Sequence, residues 1–553
     1  MIFRSISKKE WWFIGIMSIF IILFTTLPFI YGSVTTPEGA YFIGVHSLAP
    51  GDYYVYLSDI KQAYDGHFLF RDLYTTESAK YDILNTFWNF AGVIGKIFFL
   101  SPILAFHVSR IISIIVLLIS LYALLAYYTN DVMKRKVMFA FLCFSTGIGA
   151  FFEPLFAKSE MIAGYYFKPM DVWVAESNIF LSMLHSGHMV MSLAILVLIF
   201  LFYLRALENK SYFYSTIAGL LMLLLLSFHP FIFPLVFGVI AAHVLFLLLT
   251  RGKKQISSLY HFLVILAFSL PMLIYYAYML MFNVVAQGRA EQNINMTSTP
   301  LLLILSFGFL LPCAIGGIYV FLKRKAANEK IYFFIIWLIV QTVIIYLPLN
   351  FQRRMIEGLQ IPLVLFAVEF LFFLYPIVRD KLRHKFFIGY IFKNSMVLFY
   401  ALLVIFGSSN LFVWARDIAL YAEKSSSAYI SKGESDAMAW LNGLGDDARI
   451  LSDVNSGYFI PGISAKTVFA GHAVETLYYN DKEKRIGKFF QDNVNDEEKI
   501  HFLKSYEITH IFYGPREKIF GDYSPQEKKY LSKEYDNGEV SIYKVKSEIL
   551  NPK

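Results

Sequence analysis

Asp52 stands at the head of a run, Asp52-Tyr53-Tyr54-Val55-Tyr56-Leu57-Ser58-Asp59, that follows Pro50-Gly51. The spacing predicts a helix over 53–65, with Asp52 at its N-cap and Gly66 at its C-terminal cap. Tyr56 and Asp59 then fall on the face that carries Asp52. A carboxylate in that place has two readings, which one residue can combine. It caps the helix, or it faces a cavity at the water–lipid boundary and acts as a general base. Asp59, Asp65 and Asp72 read mainly as solvated-face or turn residues. Asp59 also counts, with Tyr53 and Glu77, among the residues that could line the cavity.

A second chemistry is written in Leu347-Pro348-Leu349-Asn350-Phe351-Gln352-Arg353-Arg354. A planar guanidinium meets phosphate oxygens two at a time. Arg353 and Arg354 therefore read as an anchor for a lipid-linked phosphate or diphosphate, against headgroup contact or pairing with a loop carboxylate. Arg289, in the loop 284–299, is a weaker case of the same kind. His185, His188 and His229 would line the cavity if they converge; otherwise they are hydrogen-bonded interfacial residues. Glu153, Asp171 and Glu176 could supply an oxygen-only site for Mg²⁺ or Mn²⁺, and each also reads as a plain loop residue. No metal-ligand spacing, Gly-rich phosphate loop, Ser-His-Asp order or Cys-His pair stands out.

These residues need elements to hold them, and composition says which kind. Of 553 residues, 57% are hydrophobic and only 16% charged, with a mean hydropathy of +0.54. An ordinary soluble chain would carry about 25% charged residues. Disorder, coiled coil and a soluble enzyme are excluded, and two cysteines exclude a disulfide scaffold. A spanning helix needs about 20 apolar residues. Eleven segments qualify, near 11–31, 103–128, 137–153, 179–204, 213–229, 231–250, 259–283, 300–322, 331–348, 357–376 and 395–414.

Alternate loops are basic: Lys8-Lys9, Lys134-Arg135-Lys136, Arg205 with Lys210, Lys253-Lys254, Lys323-Arg324-Lys325 and Arg379 to Lys393. That pattern predicts a cytoplasmic N-terminus. It puts the loop 32–87, Arg353, Arg354 and everything after 414 outside. The expected division is a membrane domain over 1–414 and a soluble extracytoplasmic domain over 415–553. The latter holds 19 Lys and Arg against 22 Asp and Glu, leaving 30 against 19 in the membrane part. The net charge of +8 thus belongs to loops facing anionic lipid, not to a nucleic-acid surface. Strands are predicted at 448–452, 467–470, 509–513 and 540–545, with helix-like stretches between the first three, an α/β pattern.

A long first outer loop with an early acid, many spans and an outer C-terminal domain resemble the GT-C glycosyltransferases. "GDYYVYLSDIKQAYDG", "FQRRMIEGLQIPL", "ILSDVNSGYFIPGISAKTVFAGHAVET" and "YEITHIFYGPRE" look like bacterial members. The resemblance implies a polytopic α-helical fold and transfer of a sugar from a polyprenyl-phosphate carrier to a glycan, lipid or protein hydroxyl. It implies a bacterial plasma-membrane location and inversion at the sugar. It casts Asp52 as the base and Arg353 or Arg354 as the phosphate anchor, with His472 and Glu475 shaping the acceptor site. Gly471-His472 and Glu475-Thr476 also read as a simple strand-to-helix turn. Several members pair two acids in the first loop; here Tyr53 follows Asp52. No cofactor is demanded, and a divalent cation, Mg²⁺ or Mn²⁺, stays open. The rival classes are a lipid or sugar transporter or flippase, and a non-catalytic receptor.

Overall fold

The computed structural model describes residues 5–48, 51–77, 83–156, 161–162, 165–324, 330–382, 395–425, 428–491 and 495–550. Of the basic loop residues named above, Lys325 and Lys393 lie outside them. The chain divides into two compact units. One holds Met1–Pro28, Arg110–Ile274 and Ile294–Ala419; the other holds Phe29–Ser109, Tyr275–Asn293 and Leu420–Lys553. The C-terminal segment therefore folds with residues 29–109 and 275–293, which differs from a single cut at 414.

The first unit is helical. Five stretches are long and apolar enough to cross a bilayer: Lys8–Val34, Pro102–Tyr128, Gly187–Asn209, Pro230–Phe282 and Gln352–Lys381. Two bent pairs raise the number to seven, and Tyr212–Leu226 and Lys330–Ile344 are apolar but shorter. Several of the eleven expected segments are broken. Pro300–Phe307 and Leu310–Lys323 meet at 83°, and Met396–Phe406 and Ser408–Ala422 meet at 63°. The first break falls at Gly308, whose φ of +47° only glycine adopts without strain. The expected span 137–153 stops as a helix at Phe144. After it the chain runs through Ser145–Ile148 without helical bonding.

A broken helix frees backbone groups that a bilayer cannot solvate, so protein must satisfy them. Here the breaks satisfy one another. Thr146 N donates to Phe406 O, and Ile148 N donates to Leu305 O at 3.0 Å. Asn410 Nδ2 donates to Phe144 O at 3.0 Å. Gln360, fully buried, gives Nε2 to Ser145 O at 2.6 Å and accepts Ile179 N at 2.7 Å.

The second unit is α/β. The described strands, in chain order, are β1 (Ala40–Phe42), β2 (Met161–Ile162), β3 (Tyr165–Tyr166), β4 (Tyr429–Ser431), β5 (Arg449–Leu451), β6 (Thr467–Val468), β7 (His510–Tyr513), β8 (Leu531–Asp536) and β9 (Ser541–Val545); all but β2 and β3 belong to the second unit. The main sheet runs β6-β5-β7-β9-β8, with the first three strands parallel and the last two antiparallel to their neighbours. The core of this unit gathers Phe469, Ile486, Phe489 and Phe490 with Leu503 and Ile511. Antiparallel β1–β4 pairing ties the start of the first loop to the soluble segment.

The helix Tyr53–Asp65 forms as its sequence predicts, with Gly66 in the left-handed region at its end. It buries Tyr53, Tyr54, Leu57 and Ile60. Burial of such side chains is worth about 1.5–3 kcal/mol each, so packing rather than propensity holds this helix in place.

Gln360→Leu strands two buried backbone groups, each costing about 1–3 kcal/mol. Thermal unfolding in detergent is expected to show a lowered midpoint; an unchanged midpoint would mean that the breaks are satisfied some other way.

Candidate functional site

Asp52 sits at the N-cap position, but its side chain makes no capping hydrogen bond. The cap reading thus holds for position and fails for chemistry. The carboxylate turns elsewhere. Oδ1 lies 3.4 Å from His472 Nε2, and Oδ2 lies 3.4 Å from the Tyr56 hydroxyl. The Asp52 side chain is 34% exposed and that of His472 10%, so the acid is reachable while its partner is sheltered.

The tautomer follows from the neighbours. His472 Nδ1 accepts the backbone N–H of Val474 and of Glu475, each at 3.3 Å. Nδ1 therefore keeps its lone pair, and the proton of the neutral ring is on Nε2, facing Asp52. Burial opposes charge on His472, Asp52 favours it, and the net effect raises the histidine's pKa. The two N–H groups on Nδ1 resist a second proton there. An imidazole N–H aimed at a carboxylate orients that carboxylate and favours its ionised form.

His472 lines an open hollow of about 320 Å³ together with Gly51, the residue before Asp52, and with Val454, Asn455, Tyr458 and Gly471, among others. The hollow's walls from the C-terminal segment come from the helix Val454–Ser464, which follows β5, and from the turn after β6. Both lie at the carboxyl ends of parallel strands, where open α/β sheets bind ligands. Gly471 is required by a close approach: a Cβ there would lie 2.5 Å from Gly457 O.

The turn that carries His472 is wired from three directions. Thr476 Oγ1 accepts Gly471 N at 3.0 Å and donates to Tyr74 O at 2.8 Å. Gln292 Nε2 donates to Val474 O and Thr476 O at 3.0 and 3.1 Å. Lys482, its side chain 2% exposed, reaches Glu77 at 2.6 Å and Thr75 Oγ1 at 3.0 Å. Glu77, open in the sequence, is thus part of this wiring.

Arg289 belongs to the same wiring. Its Nε pairs with Glu475, and Nη1 lies 4.0 Å from Asp72. Asp59 is close enough to interact with all three. Arg289, expected to hold phosphate, is therefore already surrounded by carboxylates. Asp65 is a surface residue paired with Lys61, as expected. Asp72 does cap a turn, accepting Tyr74 N at 2.9 Å, yet its side chain is only 2% exposed. Burial lifts Asp72 to about 7 against the pull of Arg289, and it lifts Asp59 well above its ordinary range. Tyr53 packs edge-on against Tyr54 and Phe106.

The remaining candidates lie in the first unit. Arg353 and Arg354 fall in the 3-10 turn Gln352–Ile356. Arg353 bonds Asn295 Oδ1 and lies over the Trp173 ring at 4.6 Å. Arg354 lies 3.6 Å from Glu176 and over Phe231 at 4.9 Å. Next to them His229 Nε2 is 3.1 Å from Glu357, both side chains being almost wholly buried. The rings of His188 and His229 are 6.1 Å apart, and His188 Nδ1 bonds Ser186 Oγ at 2.7 Å. His185 is buried nearby in sequence, at the end of Ile179–His185.

Glu357 escaped the sequence reading although it lies close behind the arginines in the motif. Asn455, Tyr458, Gln292 and Lys482 escaped too, since nothing local distinguishes them from ordinary helix residues.

The oxygen-only cation site left open by the sequence does not gather among the described residues. Asp171 Oδ2 accepts Gly149 N at 2.9 Å, whereas Glu176 pairs with Arg354. Among the described residues no three His, Cys, Asp or Glu side chains gather as metal ligands.

No family model and no curated sequence matches the chain. Solved structures do. The Archaeoglobus fulgidus oligosaccharyltransferase in its apo form aligns with 98% of this chain and 75% of that one, at 14% identity and a TM-score of 0.51. With a tethered acceptor peptide, the same enzyme aligns over 90% and 69%, at 13% identity and 0.50. The chain has the GT-C glycosyltransferase fold. ArnT from Cupriavidus metallidurans, solved with undecaprenyl phosphate, aligns over 97% and 99% at 9% identity and 0.48. At the level of fold, the GT-C resemblance drawn from sequence holds, and the apolar helices make this a multi-pass membrane protein.

The raised acid predicts a pH effect. A carboxyl whose pKa climbs on folding from 3.8 to about 7 binds its proton more tightly folded than unfolded. Its contribution to stability then falls as pH rises through that window and levels off above it. Asp72→Asn keeps the acceptor for Tyr74 N and removes the titration. Relative to the native chain, this variant should gain stability as pH rises from about 4 to about 7. A difference in unfolding midpoint that stays flat with pH would contradict the assignment.

Proposed function

We propose that the chain is a membrane glycosyltransferase that moves a sugar from a polyprenyl-phosphate carrier to an acceptor hydroxyl on the outer face of the membrane. The observation that carries this reading is Asp52 held 3.4 Å from His472, which lines an open hollow, on a GT-C fold. The positive loops support a cytoplasmic N-terminus, eleven crossings and an extracytoplasmic C-terminal segment.

In this reading the acceptor hydroxyl occupies the hollow and gives its proton to Asp52. The acceptor oxygen forms the new bond to the anomeric carbon. The bond from that carbon to the carrier phosphate breaks, its electron pair leaving with the phosphate. A single displacement inverts the anomeric centre. His472 holds Asp52 ionised and aimed, and does not itself change charge. Arg353 and Arg354 are the proposed partners of the donor phosphate, where fixed cations stabilise developing charge. Each ring-stacked guanidinium is already oriented, which lowers the entropy lost on binding. No step is routed through a metal ion.

Removing a general base typically costs about 10²–10⁴-fold in rate. Asp52→Asn is expected to lose that much turnover with a lipid-linked sugar donor while donor KM stays level. His472→Ala should lower kcat, and His472→Gln should restore part of it, because an amide N–H can also donate to Asp52. Full turnover in Asp52→Asn would remove the acid from the reaction; equal loss in both His472 variants would remove the hydrogen bond from it. A flippase would instead move the lipid without forming a glycosidic product, and product analysis separates the two.

Arg353→Ala combined with Arg354→Ala should raise donor KM about ten-fold or more, from loss of charge-assisted hydrogen bonds worth about 1.5–3 kcal/mol each. An unchanged donor KM would reduce the pair to structural contacts.

A further inference from the structure

The helix Thr86–Ile97, in the second unit, is apolar on two sides. Its inner side is buried and includes Trp88, Ala91, Gly92 and Ile94. Its outer side carries Phe90, Val93 and Ile97, all exposed, at the three- and four-residue spacing of one helix face. Asn89 and Lys96, seven residues apart, share one edge of that stripe. A surface helix in water is polar opposite its buried face. This one is polar only along an edge.

The exposure continues past the helix end. Leu100 N donates to Gly95 O at 2.9 Å, which closes the helix with Phe99 in the left-handed region, at a φ of +53°. Glycine is the usual occupant of that place, because a side chain strains the left-handed backbone. Here the occupant is a phenylalanine, 88% exposed, next to Phe98, which is exposed too. A strained backbone and a wet ring are both unfavourable, and lipid removes the second. Three residues on, Pro102 begins the span Pro102–Tyr128, so the exposed rings adjoin a lipid-facing element. At 12 residues and about 1.5 Å each, the helix is too short to cross the hydrocarbon layer.

We propose that Thr86–Ile97 and Phe98-Phe99 lie along the bilayer surface where that span begins, which in the topology proposed above is the outer leaflet. The exposed rings sit among acyl chains, and Asn89 and Lys96 sit at the headgroups. The seat also sets the depth of Asp52. A Cβ on Gly92 would lie 2.9 Å from Ile60 O, so this helix and Tyr53–Asp65 pack backbone to backbone and shift as one body. The Trp88 ring stacks on Tyr56 at 4.8 Å, and the Tyr56 hydroxyl is 3.4 Å from Asp52 Oδ2. That depth matters on the transferase reading, because a carrier phosphate lies at headgroup level. The seat does not rest on that reading, and the test reads no turnover, so either can fail alone.

The test uses the full-length protein in phosphatidylcholine bilayers. Nitroxide labels are placed singly through Val93→Cys, Phe98→Cys, Asp65→Cys and Asp446→Cys in a Cys313→Ala background, Cys143 being buried. Power saturation compares collisions with oxygen, which concentrates in lipid, and with a water-soluble nickel chelate. The labels at 93 and 98 are expected to favour oxygen, at depths of about 5–10 Å below the headgroup boundary. The label at 446 should favour the chelate. Adding Phe99→Ser should move the label at 93 towards water and carry the label at 65 with it. Labels at 93 and 98 that favour the chelate would overturn the seat. A label at 65 that stays put while the one at 93 moves would overturn the control of depth. Should Phe99→Ser fail to fold, Phe99→Gly, which suits the left-handed backbone, is read by the same criteria.

Discussion

The hydrogen bond between the His472 imidazole and the Asp52 carboxylate joins two segments from opposite ends of the sequence, and it is long enough, at 3.4 Å, that small shifts would break it. Its geometry is therefore only as good as the parts that hold each side. Asp52 is held by the helix Tyr53–Asp65, whose buried aromatic face fixes its position in the unit. His472 is held by a turn anchored through Thr476, Gln292 and the Arg289–Glu475 pair. Such a shell of supporting contacts is what distinguishes a usable acid–base pair from two groups that happen to be near. The acidic surroundings of Arg289 make sense in this light: its charge keeps Glu475, and with it the backbone N–H on His472 Nδ1, in place.

The membrane unit meets a different constraint by related means. Apolar solvent leaves no alternative partner for freed backbone groups, so each helix break must be matched by another. The segment 145–149 does this by bonding to the ends of two separate bent helices, with Gln360 and Asn410 filling the remaining positions. Irregular backbone at membrane depth is where binding sites are built. The buried His229–Glu357 pair and the stacked arginines belong to the same unit.

Much of this was legible in the residues. The helix after Asp52 forms over the predicted range because its cap residues, apolar face and flanking turn agree. The strands predicted at 509–513 and 540–545 appear as β7 and β9 because their β-branched and aromatic residues favour a strand locally. Strand β8 was missed, since Leu531-Ser532-Lys533-Glu534-Tyr535-Asp536 is charged as edge strands tend to be. The breaks at Gly308 and Gly407 were smoothed over by hydropathy, which averages across a single glycine. Asp59 and Asp72 read as solvated in the sequence because the groups they interact with, Arg289 and Glu475, come from segments far away in the chain. For the same reason the sequence placed Arg289 among phosphate ligands: its type was visible, its carboxylate neighbours were not.

The account turns on whether the hollow beside His472 receives the acceptor. Density for the protein with a bound acceptor and an unreactive lipid-linked donor would answer that directly. The account predicts the reacting hydroxyl within about 3 Å of an Asp52 carboxylate oxygen, with His472 still facing the other. An acceptor bound away from that hollow, or with its hydroxyl out of reach of Asp52, would contradict it.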